Sequence, residues 1–566
     1  MFALKAAICV PYFCAEILCK SGEKPSVCEI SVRAHPNCAP MLGWCDLIWC
    51  AMSVGTALRL SAEAEASPRS GYNAQLFRRG AVMKFIVKLF PEIIIKSKPV
   101  RKKFIKQLRD NLRKLLLPID PELQIGREWD RITLETGSDD EAVLASLLEV
   151  MVNTPGIAHI IEVAEYPLVD MHDIYEKTRD AVGNSLAGKT FAVRCKRTGE
   201  HDFNSGDVER YVGGGLNQHV PSGGVKLKNP DEVVRLEIRK DRLYVVKQRH
   251  EGLGGFPIGA VDSVVSLISG GFDSTVSSYM VMKRGMRTHF CFFNLGGREH
   301  EIGVKEVSLY LWQKFGASHR VKFITVPFED VVAEILKNVE NSQMGVILKR
   351  MMMRAASQVA AELGSPALVT GEAVAQVSSQ TLANLSIIDK ATDTLVLRPL
   401  ITADKLDIIN TAAKIGTEAF AANMPEYCGV ISVRPTIKAR PERIAEQEAR
   451  MDMGVLERAI ANAKYVNIDA LADEEAVSHD VEVLPIPLAE AVILDVRHPD
   501  EVERQPLKLD RNTVQCLPFY ELHRRAEELD PKRVYQLYCD KGVMSRLHAA
   551  HLMDQGFTNV KVYRPS

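Results

Sequence analysis

The spacing of apolar residues along the chain settles into regular periods at residue 83. From Met83 to Phe90 apolar and polar positions alternate, with Phe85, Val87 and Leu89 on one side, which predicts a strand buried on one face. Val100, Phe104, Ile105, Leu108, Leu112 and Leu115 then recur at helical spacing. Lys102, Lys103, Lys106, Arg109, Arg113 and Lys114 fill the rest of each turn, so this helix has a basic face. Trp129–Leu134 reads as a strand, Asp140–Met151 and Asp173–Ala181 as helices, and Thr190–Lys196 as a strand. Asp207–Val220 reads as a helix holding Gly213-Gly214-Gly215, a cluster that lets another backbone come close. Val233–Ile238 and Arg242–Lys247 predict a hairpin. Next come five short apolar strands, Val264–Ile268, Thr288–Asn294, Val321–Val326, Ala367–Thr370 and Thr394–Pro399, with helical segments between them. That alternation predicts a parallel sheet with helices on both faces. Residues 441–485 are charged and read as a helical linker, and a last small α/β unit begins at Ala491.

The first 82 residues lack this regularity. Ala3–Leu18 is apolar but interrupted by Lys5 and Glu16, and it is short for a membrane span, so no membrane association is expected. Ser61–Gly80 is polar. Two readings stand for residues 1–82: upstream sequence ahead of a natural start at Met83, or a disordered extension. Cysteines crowd the first fifty residues, but no C-x-x-C pair occurs, which argues against a zinc site.

A chain of 566 residues is too long for one core and predicts three or four domains. Its net charge of −1 excludes a global field for polyanions, so any nucleic-acid surface must be a local patch, as on the basic helix. Beyond the first fifty residues the cysteines are Cys195, Cys291, Cys428, Cys516 and Cys539. Such sparse thiols point to a reducing, cytoplasmic setting. Cys195, Cys291 and Cys516 lie in apolar strand-like runs and read as core.

Two segments look like phosphate loops. Gly183-Asn184-Ser185-Leu186-Ala187-Gly188-Lys189-Thr190 matches the Walker A pattern, but a helix precedes it and a strand follows. The chemistry needs the opposite order, so this is read as a turn. Ser269-Gly270-Gly271-Phe272-Asp273-Ser274 follows a strand and opens a helix, which is the correct order. Its glycines let the backbone turn N–H groups inward, Ser269 and Ser274 add hydroxyls, and the helix dipole favours an anion. Asp273 is placed to hold a metal or to orient the loop. The plain alternative is a glycine turn before a core helix.

That loop resembles the PP-loop of ATP pyrophosphatases, which split ATP between the α- and β-phosphates and adenylate a carbonyl oxygen. Further segments narrow the resemblance: Met83-Lys84-Phe85, the run Val208–Gln218, Gly296-Gly297, the run Gln343–Arg350, Thr370-Gly371-Glu372, the run Gln376–Thr381 and Met424-Pro425-Glu426-Tyr427-Cys428-Gly429. With them, residues 83–565 resemble tRNA 4-thiouridine synthetases, which thiolate the uridine at position eight of tRNA. The resemblance implies a multidomain α/β protein: a ferredoxin-like α+β unit over 83–142, a THUMP domain over 143–248, a PP-loop doubly wound parallel sheet over 256–440, the linker 441–485 and a rhodanese domain over 486–566. It implies tRNA binding by the first two domains, in keeping with Arg194, Lys196, Arg197 and Arg210, through phosphate and shape. It also implies ATP contacts from Leu267, Ile268, Ser269, Gly270, Gly271, Ser274, Lys349, Gly371 and Gln380, with magnesium accompanying the nucleotide and no tightly bound cofactor or fixed metal site. Leu267 and Ile268 read as strand core, so only their backbone would face the nucleotide. Lys405 matches a family position near the catalytic centre, and a surface lysine is the alternative.

At the other end, Cys539-Asp540-Lys541-Gly542-Val543-Met544-Ser545-Arg546 lies between the strand Tyr535–Tyr538 and a helix. N–H groups and a helix N-terminus around a thiol favour thiolate or persulfide. The arrangement, with Asp495 and Arg497 closing an earlier strand, resembles a rhodanese domain. The resemblance implies that a cysteine desulfurase loads Cys539 as a persulfide, and that Cys539 forms a redox disulfide with Cys428 during turnover, which a reductant reopens. Either the persulfide attacks C4 of the adenylated uridine, or Cys428 frees sulfide that does so. The linker is expected to let the last domain reach the adenylate site. The family's terminal domain also passes sulfur to a carrier protein for thiazole synthesis. Rival readings are a sulfur relay for thiamin alone, a non-catalytic tRNA-binding protein, or an amide-forming ligase. No glutaminase domain is evident for the last.

Overall fold

The computed structural model describes residues 5–10, 13–18, 29–32, 82–129, 131–295, 298–422, 424, 432, 434–473, 481–497, 499–522, 525–540 and 542–565. The chain divides into two compact units, Met1–Arg79 and Gly80–Ser566. In the first, Lys5–Val10 pairs antiparallel with Phe13–Leu18, which pairs antiparallel with Glu29–Val32. The sequence pattern predicted no elements there.

The second unit opens with a seven-stranded sheet in the order Gln124–Arg127, Arg131–Thr136, Val82–Leu89, Ile157–Pro167, Arg242–Gly254, Glu232–Arg239 and Phe191–Thr198. All neighbours are antiparallel except the last pair. The basic helix spans Lys98–Leu116 and seats Phe104, Ile105, Leu108 and Leu112 in the interior. Val100, expected in its apolar stripe, is 39% exposed, because it lies in the first turn beyond the edge of the sheet-facing stripe. The helix Glu141–Val152 adds Leu147 and Met151 to the same core as Phe85 and Leu108. The expected boundary at residue 142 would cut this helix from the core it covers, so the first structural layer runs on to Ile160. The helices Met171–Val182 and Ser205–His219 cover the other end, where Ile174, Val208 and Leu216 meet Phe191 and Leu236.

A six-stranded sheet follows, ordered Leu395–Leu397, Ala367–Val369, Ser263–Leu267, Arg287–Asn294, Lys322–Pro327 and Lys464–Asn467. The first five strands run parallel, as the β/α alternation predicted, and the sixth is antiparallel. That sixth strand corrects the linker expectation. Residues 441–470 belong to this domain: the helices Pro441–Glu448 and Gly454–Ala461 bury Ile444, Val455 and Leu456 in its core. These helices are two turns long with charged outer faces, so their periodicity is too short to distinguish docking from solvation. Glu448 anchors the segment through Arg350 (2.7 Å) and Arg354 (2.7 Å). Burial pushes its carboxyl up, but the bonds from the two guanidinium groups outweigh burial and hold it below its ordinary value. Residues 474–480 lie outside the described residues.

The last sheet is parallel throughout, in the order Val483–Leu484, Val560–Tyr563, Tyr535–Tyr538, Val492–Asp495 and Val514–Cys516. Cys195 and Cys291 are core, and burial pushes their thiols up to about 11 and about 12. Cys516 corrects its reading: it ends an edge strand and is exposed. Among the described residues no helix is long and apolar enough to cross a membrane.

Glu448→Ala would leave two guanidinium groups without their carboxylate, one of them buried, and is expected to cost about 3 kcal/mol in urea unfolding. Because the folded carboxyl titrates below 4.5, wild-type protein keeps this contribution above pH 4.5 and loses it as pH falls through the folded value, narrowing the gap to the variant in acid.

Candidate active site

The Walker-like segment is a turn. A single 3-10 turn, Gly183–Leu186, follows the helix Met171–Val182, and the chain then enters the strand Phe191–Thr198. Gly188 N–H donates to the Pro221 carbonyl, which closes the turn onto its own domain.

The second glycine loop leaves the strand Ser263–Leu267 and enters the helix Phe272–Lys283. Gly270 has φ +84°, a left-handed value, and a Cβ there would fall 2.4 Å from Met424. The loop is tied by its own hydroxyls. Ser274 Oγ donates to the Gly271 carbonyl (3.2 Å) and accepts from Ser269 N–H (3.2 Å), and Thr275 Oγ1 donates to Gly271 O (2.7 Å). The hydroxyl of Ser274, read as a phosphate donor, therefore shapes the loop. The first N–H groups of the helix, which no helical carbonyl can reach, are left for an anion. Ile268 is buried, and its N–H donates to Cys291 O (2.9 Å); half-buried Leu267 ends the strand below it.

Asp273, in the first turn, is held from both sides. Lys405 Nζ donates to Oδ1 and Gln376 Nε2 to Oδ2, each at 2.8 Å. Lys405 opens the helix Lys405–Ile415 and lies 5.7 Å from the Phe272 ring centroid. It is thus half-exposed but engaged with the loop, and both Asp273 carboxylate oxygens have a donor. Gly371 lies against this turn: a Cβ would come within 2.6 Å of the Asp273 carbonyl carbon. Next to it Glu372 is buried and accepts from Thr370 Oγ1 (3.0 Å) and Arg398 Nε (2.8 Å), with Lys349 Nζ at 3.7 Å. Burial pushes the Glu372 carboxyl up, but Lys349 and Arg398 together with these bonds hold it low. Gln380 is buried, and its Oε1 accepts weakly from Ala373 N–H (3.4 Å). Sequence reading missed His300. Its Nε2 donates to the Ser269 carbonyl (2.9 Å), its ring meets Phe292 edge-on, and burial pushes its pKa down. No local signal marks it, since it lies in an ordinary-looking helix about thirty residues beyond the loop.

The terminal domain builds a second site. Cys539 follows the strand Tyr535–Tyr538, and Gly542 (φ +66°) starts the helix Val543–Asp554. Cys539 is 7% exposed; its Sγ accepts from Ser545 N–H and lies 3.4 Å from both that nitrogen and Ser545 Oγ. Arg497 makes a two-pronged bond to Asp495 (2.9 and 2.6 Å) and reaches Asp540 at 3.0 Å. Tyr538 donates to the same Asp540 oxygen at 2.9 Å. This network, buried at Asp495 and Arg497 and exposed at Asp540, ties the residues on either side of Cys539 to the strand Val492–Asp495. Cys428 lies outside the described residues, as does Lys541. Met424, four positions before Cys428, is described and sits against Gly270. On the strand Phe191–Thr198 Arg194 and Lys196 are exposed and Arg197 is half-buried, and Arg210, on the helix Ser205–His219, is exposed.

Sequence families match in chain order: a ferredoxin-like domain over 84–160, a THUMP domain over 169–246, "Thiamine biosynthesis protein (ThiI)" over 259–453 and a rhodanese-like domain over 485–566. The chain is 57% identical over 484 residues to the tRNA sulfurtransferase of Azotobacter vinelandii, a match covering 86% of this chain and 100% of the relative. A tRNA sulfurtransferase of Yersinia pestis is 57% identical over 486 residues, covering 85% of this chain and all of the relative. Among solved structures, a 4-thiouridine synthetase in complex with RNA and bound ATP is similar, with a TM-score of 0.60 and 26% identity. That match covers 68% of this chain and 99% of the other.

Gly371→Ala drives a methyl into the backbone of the loop helix, which cannot yield as a side-chain tip would. ATP binding, followed by calorimetry, is expected to weaken by about tenfold or more, roughly 1.4 kcal/mol.

Proposed function

The chain belongs to the tRNA sulfurtransferase family, and from that premise we propose that it uses ATP to replace the C4 oxygen of a tRNA uridine, that at position eight, with sulfur carried on Cys539. One observation carries the reading. A glycine loop between strand and helix, steadied by Asp273, Lys405 and Gln376, and a cysteine whose sulfur accepts a helix N-terminal N–H occur in one compact unit.

The C4 oxygen is a poor leaving group. Attack of that oxygen on the α-phosphate releases pyrophosphate and leaves an adenylate. The loop N–H groups receive the departing pyrophosphate, and Lys349 and Lys405 add positive charge beside it. Asp273 already has two donors, so the magnesium ion expected with ATP would ride on the phosphates themselves. The exposed basic residues of the seven-stranded sheet grip the tRNA backbone.

Cys539 takes its sulfur as a persulfide from a cysteine desulfurase. In one route the terminal sulfur attacks C4 and expels AMP, and Cys428 then cleaves the resulting disulfide, leaving the thiolated base and a Cys428–Cys539 disulfide. In the other, Cys428 attacks Cys539 first and frees sulfide, which attacks C4. Both routes end in the same disulfide and need two electrons from a reductant. Sulfur transfer to a carrier protein for thiazole synthesis is a second role proposed for the same cysteine; the family matched over 259–453, outside the cysteine's own domain, is described as a thiamine biosynthesis protein.

Incubation with ATP, unmodified tRNA, a desulfurase and cysteine, followed by nucleoside analysis, is expected to yield 4-thiouridine. Cys539→Ala and Asp273→Ala should each reduce product by about 100-fold or more. Undiminished product from Cys539→Ala would remove the persulfide carrier from the mechanism.

A further inference from the structure

The helix Arg298–Leu311 touches both sites. Near its start His300 holds the Ser269 carbonyl of the glycine loop, and Val304, Leu309 and Leu311 enter the core beneath that loop. Positions 298, 302, 306 and 310, each one turn from the next, face the other way. Arg298 meets Asp554 (2.6 Å), Ile302 meets Leu547, and Tyr310 and Val307 join the core of the terminal domain. Glu306 Oε1 lies 3.1 Å from His548 Nε2; His548 is only 2% exposed and Glu306 is buried. The partners Leu547, His548 and Asp554 all belong to the helix Val543–Asp554, whose first turn cradles the Cys539 sulfur. Met544, in that turn, packs against the cores of both domains, and Arg546 pairs with Asp473.

One helix thus steadies the phosphate loop and grips the helix that steadies the sulfur. Burial pushes the Glu306 carboxyl up to about 8, so an acid with no partner across the interface is disfavoured there. A buried polar pair gives little net stability over an apolar one, but it is specific: only one register of the two helices satisfies it.

We propose that Glu306 and His548 are positioning residues that clamp the sulfur-carrying domain onto the nucleotide-binding domain for hand-over, and that the clamp opens for Cys539 to be loaded. This deepens the function proposed above and rests on it. In the clamped arrangement Cys539 is buried and shares one core with Val307 of the gripping helix, so a separate protein is expected to reach it only once the helices part.

The test compares sulfur sources in the full-length protein. Free sulfide needs no hand-over, whereas desulfurase with cysteine does. His548→Glu sets two carboxyls face to face, and Glu306→Lys buries an ammonium without a carboxylate. Each is expected to lower desulfurase-supported 4-thiouridine formation by about tenfold or more. Each should leave sulfide-supported formation within about twofold of wild type and persulfide loading of Cys539, read by mass spectrometry, undiminished. The double variant, which sets a lysine and a carboxylate face to face, should recover most of the loss. Asp554→Arg, which faces Arg298 at the rim, should show the same split more weakly. The clamp is overturned if the single variants keep full desulfurase-supported activity, lose both activities equally, or lose loading together with hand-over. Wild-type protein inactive with either source would instead overturn the proposed function, and the clamp with it.

Discussion

A helix carrying Glu301, Lys305 and Glu306 should keep one side in water, yet Arg298–Leu311 is buried on nearly all sides. That burial is the constraint around which the catalytic half of the chain is arranged. It is tolerable because the polar groups lie against one another: Lys305 on Glu301 at 2.6 Å, and Glu306, whose carboxyl burial pushes up to about 8, 3.1 Å from His548 across the domain boundary. Remove the terminal domain and the outer face of this helix loses its cover, while its inner face still holds the loop through His300.

The two sites solve one electrostatic problem in different ways. In the proposed function both stabilise an anion, a phosphate in one case and a sulfur in the other, and both loops lead from a strand into a helix N-terminus. The phosphate site keeps carboxylates close but engaged, Asp273 with Lys405 and Gln376, Glu372 with Arg398, so their charge does not repel the ligand. The sulfur site does the same with Asp495 and Asp540, both held by Arg497. Acidic residues next to an anion site act here as anchors for cations and amides. Their own charge is offset before the ligand arrives.

Met424 ties the two chemistries in sequence. It fills the space that Gly270 leaves open and lies against Gly303 of the bridging helix, four positions before Cys428. At Gly270 a Cβ would fall 2.4 Å from the Met424 side chain and the backbone is left-handed, whereas at Gly303 a Cβ would stand 3.0 Å from the same methyl and ask only a small shift of it.

Local element order was legible in the sequence. The strand-loop-helix order around Ser269–Ser274, the reversed order around Gly183–Thr190 and the strand-to-helix setting of Cys539 depend on neighbours within about ten residues, and such patterns survive in one dimension. What required the tertiary structure is whatever joins distant segments. His300 on Ser269, Gln376 on Asp273, the return of residues 441–470 to the sheet edge, the exposure of Cys516 on an edge strand and the meeting of Glu306 with His548 all fall in this class. A short charged helix reads the same whether it is solvated or docked, because periodicity reports that a face exists and not what covers it. Packing supplies the cover, and here it turned two recognisable half-sites into one arrangement.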